Sequence, residues 1–205
     1  MVESSGRVND MSESRPWENL STLHYEFPLK DKDARFKEVV VYISDRCVDD
    51  PTYSKIKLLK ILFFSDFESF GRYGVPITGM PYRKMPYGPA PVDFPRLQEE
   101  MIRDHQIKIY SRRVYDYSSQ RLIPLQEPKL ELLQARDISI LEGWIRLFWN
   151  ETAKRISEYS HGKAWKLAKD AALIPYEATF ISDEPVTFED VDRLKELAAK
   201  FGWEL

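Results

Sequence analysis

Apolar residues follow two patterns along this chain. Between Tyr53 and Phe70 the residues Leu58, Leu59, Ile61, Leu62, Phe63, Phe64, Phe67 and Phe70, placed on a helical wheel at about 100° per residue, cover nearly every direction. That pattern predicts a helix buried in the middle of a domain. Asp66 falls on the same side as Leu59, Leu62, Phe63 and Phe70, so its carboxylate lies in an apolar arc and needs a partner there. Elsewhere the apolar positions are one-sided. Phe36, Val39, Val40 and Ile43 predict a helix from about Lys32 to Cys47, and Leu97, Met101 and Ile102 predict core-facing positions in one that begins at Asp93 with Pro95 in its first turn. Ile138, Leu141, Ile145 and Phe148 predict a helix starting near Asp137, where Ser139 and Glu142 have capping-box spacing.

The boundaries follow from polar residues and breakers. Asp49-Asp50-Pro51 stops the first helix, Thr52 or Ser54 caps the buried one, and Gly71 and Gly74 end it. Val75 to Pro91 holds five prolines and two glycines, which predicts a stiff loop with one short extended piece at Tyr82 to Met85. Gly88 precedes a proline and sets the turn there. Ile107 to Val114 and Gln120 to Leu125 predict a β-hairpin turning through Asp116-Tyr117-Ser118-Ser119, with Pro124 marking an edge strand. Asn150 is placed to cap a helix through Ile156 and Tyr159. A short helix holding Trp165, Leu167 and Ala168 follows, then an extended stretch at Ile174-Pro175-Tyr176 and a last helix from Thr187 to before Gly202. The fold class is mainly α (α+β): a single helical domain around a buried central helix, with a small antiparallel β-hairpin. Residues 1–22 read as a flexible polar leader, with Met11 as an alternative start. Residues 23–182 read as the domain and 183–205 as a C-terminal helix packed on it.

The order of motifs is informative. Lys57, Lys60, Ile61, Leu62, Phe63, Phe64 and Asp66 spell K-x-x-K-[IL]-L-[FY]-F-x-D. Pro76 to Gly79 then give P-I-T-G, and Pro86 to Pro91 give P-Y-G-P-x-P. Ser160, His161 and Trp165 form S-H-x-x-x-W, followed by Ile174-Pro175-Tyr176-Glu177. This ordered set, between about Phe36 and Ile181, resembles the Panacea, or SocA-like, antitoxin domain. The resemblance implies an intracellular bacterial or phage-borne protein that binds and neutralises a cognate toxin from a neighbouring gene. Some relatives also deliver the toxin to a protease such as ClpXP.

Composition narrows the alternatives independently. The 205 residues suit one domain with appendages, and 43% hydrophobic with 31% charged residues is ordinary for a globular protein. A net charge of −3 does not favour nucleic acid, whose binders usually carry a basic face. No apolar run reaches the roughly 18 residues of a membrane span and no signal-peptide pattern opens the chain, so the cytoplasm is the expected location. The one cysteine, Cys47, lies among Val41, Ile43 and Val48 and reads as a small hydrophobe.

Catalytic and metal signatures are missing: there is no G-x-x-x-x-G-K-[ST], G-x-G-x-x-G, H-E-x-x-H or G-x-S-x-G, and no cysteine pair. His24, His105 and His161 are far apart in sequence, so neither a metal site nor a cofactor is expected. Asp66 and Glu68 point about 200° apart on a helix and cannot pair. Two rivals to a binding protein remain. One is a small hydrolase in which Asp66 orients His161 as a general base, though no nucleophile or oxyanion motif accompanies them. The other is a DNA-binding regulator using Lys55, Lys57 and Lys60 with Arg112 and Arg113. The expected partner surface is instead Arg72, Tyr73, Tyr82, Arg83, Tyr87, Gly88 and Pro89, because Tyr and Arg are enriched at protein interfaces; the exposed edge of the hairpin is a second contact, by strand addition. Asp66, His161 and Trp165 are expected to form a structural hub beneath.

Overall fold

The structure is a computed structural model that describes residues 25–114 and 117–181 together with residues 192, 195 and 196, which are helical. The expected leader, the alternative start at Met11 and nearly all of the expected C-terminal helix lie outside the described residues. Helix α1 (Lys32–Arg46) is capped by the Asp31 side chain, which accepts from the backbone N–H of Ala34, and buries Phe36, Val39, Val40 and Ile43. Helix α2 (Lys55–Tyr73) begins at Ser54, whose hydroxyl accepts from the N–H of Lys57. It ends at Gly74 in the left-handed conformation, φ 70°, where a side chain would cost about 1–2 kcal/mol. Gly71 does not end the helix, because its backbone continues the helical ladder.

Helix α2 is the axis of the domain and packs against α1, α4 (Ala135–Phe148), α5 (Ala153–Tyr159) and a 3-10 helix at Tyr176–Phe180. Leu58, Ile61 and Leu62 are fully enclosed. Burying one such side chain contributes about 1.5–3 kcal/mol, which explains why a helix with so few polar positions is stable only inside a shell of others. Helix α4 starts earlier than its sequence suggested and by a different device. The Asp137 carboxylate reaches back to the N–H of Gln134 at 2.9 Å, and Ser139 and Glu142 play no capping part. Asp137 also binds the buried Arg35 of α1 at 2.5 Å, tying α1 to α4. Helix α5 is capped by Thr152 rather than Asn150, since the Thr152 hydroxyl accepts from the N–H of Arg155.

Two small sheets complete the fold. After β1 (Tyr82–Arg83) and β2 (Ala90–Pro91), α3 (Phe94–Arg103) buries Leu97 and Met101, while Ile102 turns to solvent. The hairpin pairs β3 (Ile107–Val114) with β4 (Tyr117–Pro124). It is tighter than expected, because Tyr117, Ser118 and Ser119 pair with Val114, Arg113 and Arg112 instead of forming the turn. Beyond α6 (Lys163–Leu167), the extended stretch becomes β5 (Leu173–Ile174), which pairs antiparallel with β1 and gives a three-stranded sheet in the order β2-β1-β5. Two-residue strands carry no readable periodicity. They matter because they lock the Pro-rich loop to the far end of the domain. No helix among the described residues is long and apolar enough to cross a membrane.

Candidate partner-binding site

The site is built on three polar positions of α2 that face the interior. Asp66 is the deepest. Its carboxylate accepts from the backbone N–H of Thr78 at 2.6 Å, from the Thr78 hydroxyl and from Tyr82 Oη at 2.8 Å. Tyr176 Oη lies 3.5 Å away but gives its single proton to the Met80 carbonyl at 2.7 Å. Burial pushes the carboxyl up to about 6, and the hydrogen bonds from Thr78 and Tyr82 hold it from rising further. These contacts give a physical reason for the P-I-T-G spacing. Thr78 donates twice, and Gly79, at φ 71°, turns the chain where a Cβ would come within 2.9 Å of Leu29 Cδ1.

Lys57 is 0% exposed and fully bonded. Its ammonium donates to Asp50 Oδ2 at 2.5 Å, Thr52 Oγ1 at 2.6 Å and the Phe148 carbonyl at 2.8 Å, which uses all three protons. For Asp50, burial alone would raise the carboxyl, but the hydrogen bonds from Lys57 and Thr52 outweigh it and hold it below the usual range.

Lys60, one turn on, is 2% exposed and lies in different surroundings. It donates to the Pro89 carbonyl at 2.7 Å and has no carboxylate partner among the described residues. Burial lowers its ammonium to about 7. Gly88, φ 90°, passes so close that a Cβ there would stand 2.2 Å from Ser160 Oγ and 2.8 Å from Lys60 Nζ. Ser160 donates to the Ser157 carbonyl at 2.7 Å. His161 stacks on Trp165 with ring centroids 3.8 Å apart, and Trp165 donates to the Met85 carbonyl at 3.3 Å while Lys84 lies 4.3 Å above its ring. His161 Nε2 is buried without a hydrogen-bond partner among the described residues. Burial, then repulsion from Lys60, Lys84 and Lys166, lowers the imidazole against the pull of Glu158.

This geometry redraws the expected site. Arg83 and Tyr87 are exposed, Tyr87 at 61%. Tyr82 is buried with its hydroxyl on Asp66, and Gly88 and Pro89 are buried against Lys60, so these three support the surface from beneath instead of forming it. Arg72 and Tyr73 are exposed but separate. Twelve residues at a rise of about 1.5 Å put Arg72 roughly 18 Å along α2 from Lys60. There Arg72 pairs with Glu68, and Arg136 covers the Tyr73 ring. The expected hub divides as well, since Asp66 belongs to the Thr78–Tyr82 cluster and His161 with Trp165 to the Lys60 cluster, and Asp66 and His161 share no hydrogen bond. The postulated basic face loses two of its five members, because Lys57 and Lys60 point inward, which leaves the half-buried Lys55 over the Phe94 ring and the exposed Arg112 and Arg113. A helix that is apolar all round leaves its lysines no solvent side, and that signal was present in the sequence.

The residues matching the family motifs thus gather in three clusters along α2, around Lys57, Lys60 and Asp66. The sequence profile described as "Antitoxin SocA-like, Panacea domain" matches residues 58–166, just over half of the chain. The chain belongs to the SocA-like Panacea family. No curated protein and no solved structure matches it. Within the Panacea match, Lys60, Gly88, Pro89, Ser160, His161 and Trp165 come from three separate stretches and meet around one turn. Cys47 lies outside that region, buried and with its thiol pushed up to about 12 by burial.

Proposed function

We propose that this Panacea-domain chain is an antitoxin that binds and neutralises a cognate protein toxin, using the turn at residues 84–89 with Arg83 as the principal contact. The observation that carries the reading is the convergence of the family-motif residues beneath this turn. Lys60, Ser160, His161 and Trp165 fix its underside, leaving Arg83, Met85 and Tyr87 exposed. A turn fixed in this way loses little conformational entropy on binding, and a Tyr and an Arg supply the side chains that most often anchor interfaces. Neutralisation would come from covering the toxin's working surface, an interface of about 1,200–2,000 Å² in the standard size class. Delivery of the toxin to a protease belongs to relatives, and no residue of this chain points to it.

The rival readings draw less support. Asp66 accepts from Thr78 and Tyr82 instead of orienting His161, and Lys57 and Lys60 present no basic surface. The test is growth of cells expressing each gene adjacent to this one, with and without the chain, and co-purification of any toxic product. Rescue with a stable complex is expected. Arg83→Ala with Tyr87→Ala should abolish both in a folded protein, while Tyr73→Ala, at the far end of α2, should leave both intact. Equal loss from Tyr73→Ala, or none from the double variant, would overturn the assignment of the turn.

A further inference from the structure

The chain as a whole is acidic, yet the ground around the turn is not. Residues 82–89 and 151–170 hold seven of the 30 basic residues and only three of the 33 acidic ones. Arg83 and Lys166 are exposed and have no ion pair among the described residues. Lys84 is mostly covered, donating to the Ala168 carbonyl and pairing with the exposed Asp170 at 3.2 Å. Beneath them the buried Lys60 amine has one carbonyl partner and no counter-ion among the described residues, and Gly88 and Pro89 lie against it. Its neighbour His161 has a buried Nε2 without a partner among the described residues. Among these charges stand exposed apolar groups: Met85 and Tyr87 on the turn, and Tyr159, whose ring packs on Phe64 at 5.3 Å. Exposed apolar groups flanked by the free cations Arg83 and Lys166 are complementary to a surface with an apolar anchor beside carboxylates.

We infer that the face where the 84–89 turn meets α5 and α6 takes an acidic protein surface, one of whose Asp or Glu carboxylates supplies the counter-charge that Lys60 lacks. The inference rests on the antitoxin reading and specifies the chemistry of the toxin's contact face. A carboxylate docked beside the exposed Tyr87 stands over Gly88 and, beneath it, Lys60, and attraction through protein of low effective dielectric needs no direct contact. The charged groups facing Lys60 or its neighbour His161 are Lys84 on the turn side, Glu158 on α5 and Lys166 on α6, a set with two cations and one anion. Nucleic acid suits the face less well, because its exposed cations Arg83 and Lys166 share it with the carboxylates Glu158 and Asp170, which repel phosphate, and with the apolar Met85, Tyr87 and Tyr159.

The test uses the full chain and the toxic neighbouring gene product recovered in the rescue assay, titrated calorimetrically at low and high salt in two buffers of different ionisation enthalpy at pH 7.5. Affinity should fall about tenfold or more on raising the salt, and by a similar factor in Arg83→Glu or Lys166→Glu, because exposed charges at an interface act over about one Debye length. Binding should take up protons, since a nearby carboxylate favours the charged form of Lys60, and Lys60→Met should remove that uptake while the melting curve shows the variant folded. An affinity indifferent to salt and to both charge reversals overturns the acidic-face inference and leaves the antitoxin reading standing. Absence of any complex removes both. Tighter binding of a 20-base-pair DNA duplex than of the gene product would also overturn it.

Discussion

Lys57 and Lys60 stand one turn apart on the same buried helix, and the domain treats them in opposite ways. Around Lys57, three acceptors, one of them the Asp50 carboxylate, use every proton and tie the start of α2 to the end of α4. Around Lys60, a single carbonyl is offered by a loop, no carboxylate stands opposite it among the described residues, and Nε2 of the nearby imidazole has no hydrogen-bond partner among them either. The first node is closed and structural. The second is left incomplete at the surface where the exposed Tyr and Arg gather. A buried charge without its counter-ion is costly, and its placement under a rigid exposed turn is the physical ground for reading that turn as the partner site.

Four perturbations sharpen this contrast, in decreasing order of effect. Lys57→Met should cost about 3–5 kcal/mol, because it leaves Asp50 buried and unpaired, read as a large drop in the denaturant midpoint. Gly88→Ala should cost about 1–3 kcal/mol, since it forces a left-handed residue against Ser160 and Lys60. Gly74→Ala, with no atom near its Cβ position, should show only the conformational part, about 1–2 kcal/mol. Lys60→Met, near pH 7, should change stability by less than about 1 kcal/mol, because the lost bond to Pro89 is offset by no longer burying a charge. If Lys60→Met proved as damaging as Lys57→Met, the distinction between the nodes would fail.

Acidity gives a separate handle, read as a change with pH. The Lys60 ammonium is lowered to about 7 in the fold, so its contribution to stability is present above the unfolded lysine value of about 10.4 and is lost as pH falls through 7. The Asp66 carboxyl is raised to about 6, so its contribution is present below the unfolded value of about 3.9 and is lost as pH rises through 6. Unfolding curves of the parent and of Lys60→Met should therefore diverge in the parent's favour between pH 7 and 10. Curves that stay parallel there would mean that Lys60 is not desolvated.

Much of this architecture was legible in the sequence, and the illegible part has a definite cause. The all-round apolar pattern of α2, the one-sided patterns of α1 and α4 and the breakers between them are local, and the helices lie close to where they were expected. The two lysines were not separable. They are three residues apart, share a side of one helix, and differ only in what the rest of the chain brings to them. Asp50 is seven residues away, whereas Pro89 is 29 residues away and Ser160 farther still. The same non-locality moved Tyr82 from the surface to the Asp66 cluster and made Ile174 the strand partner of Tyr82. Motif order pointed to the region. Which motif residues face the partner and which hold the turn depends on contacts that no periodicity records.

The most direct test of the open node is an NMR titration of the lysine side chains in the full-length protein, with the resonance of Lys60 identified by its loss in Lys60→Met. The account predicts that Lys60 changes charge near pH 7 in the free protein and moves upward when the toxic partner is bound. A Lys60 that titrates at the ordinary lysine value of about 10.4, unchanged by the partner, would contradict it.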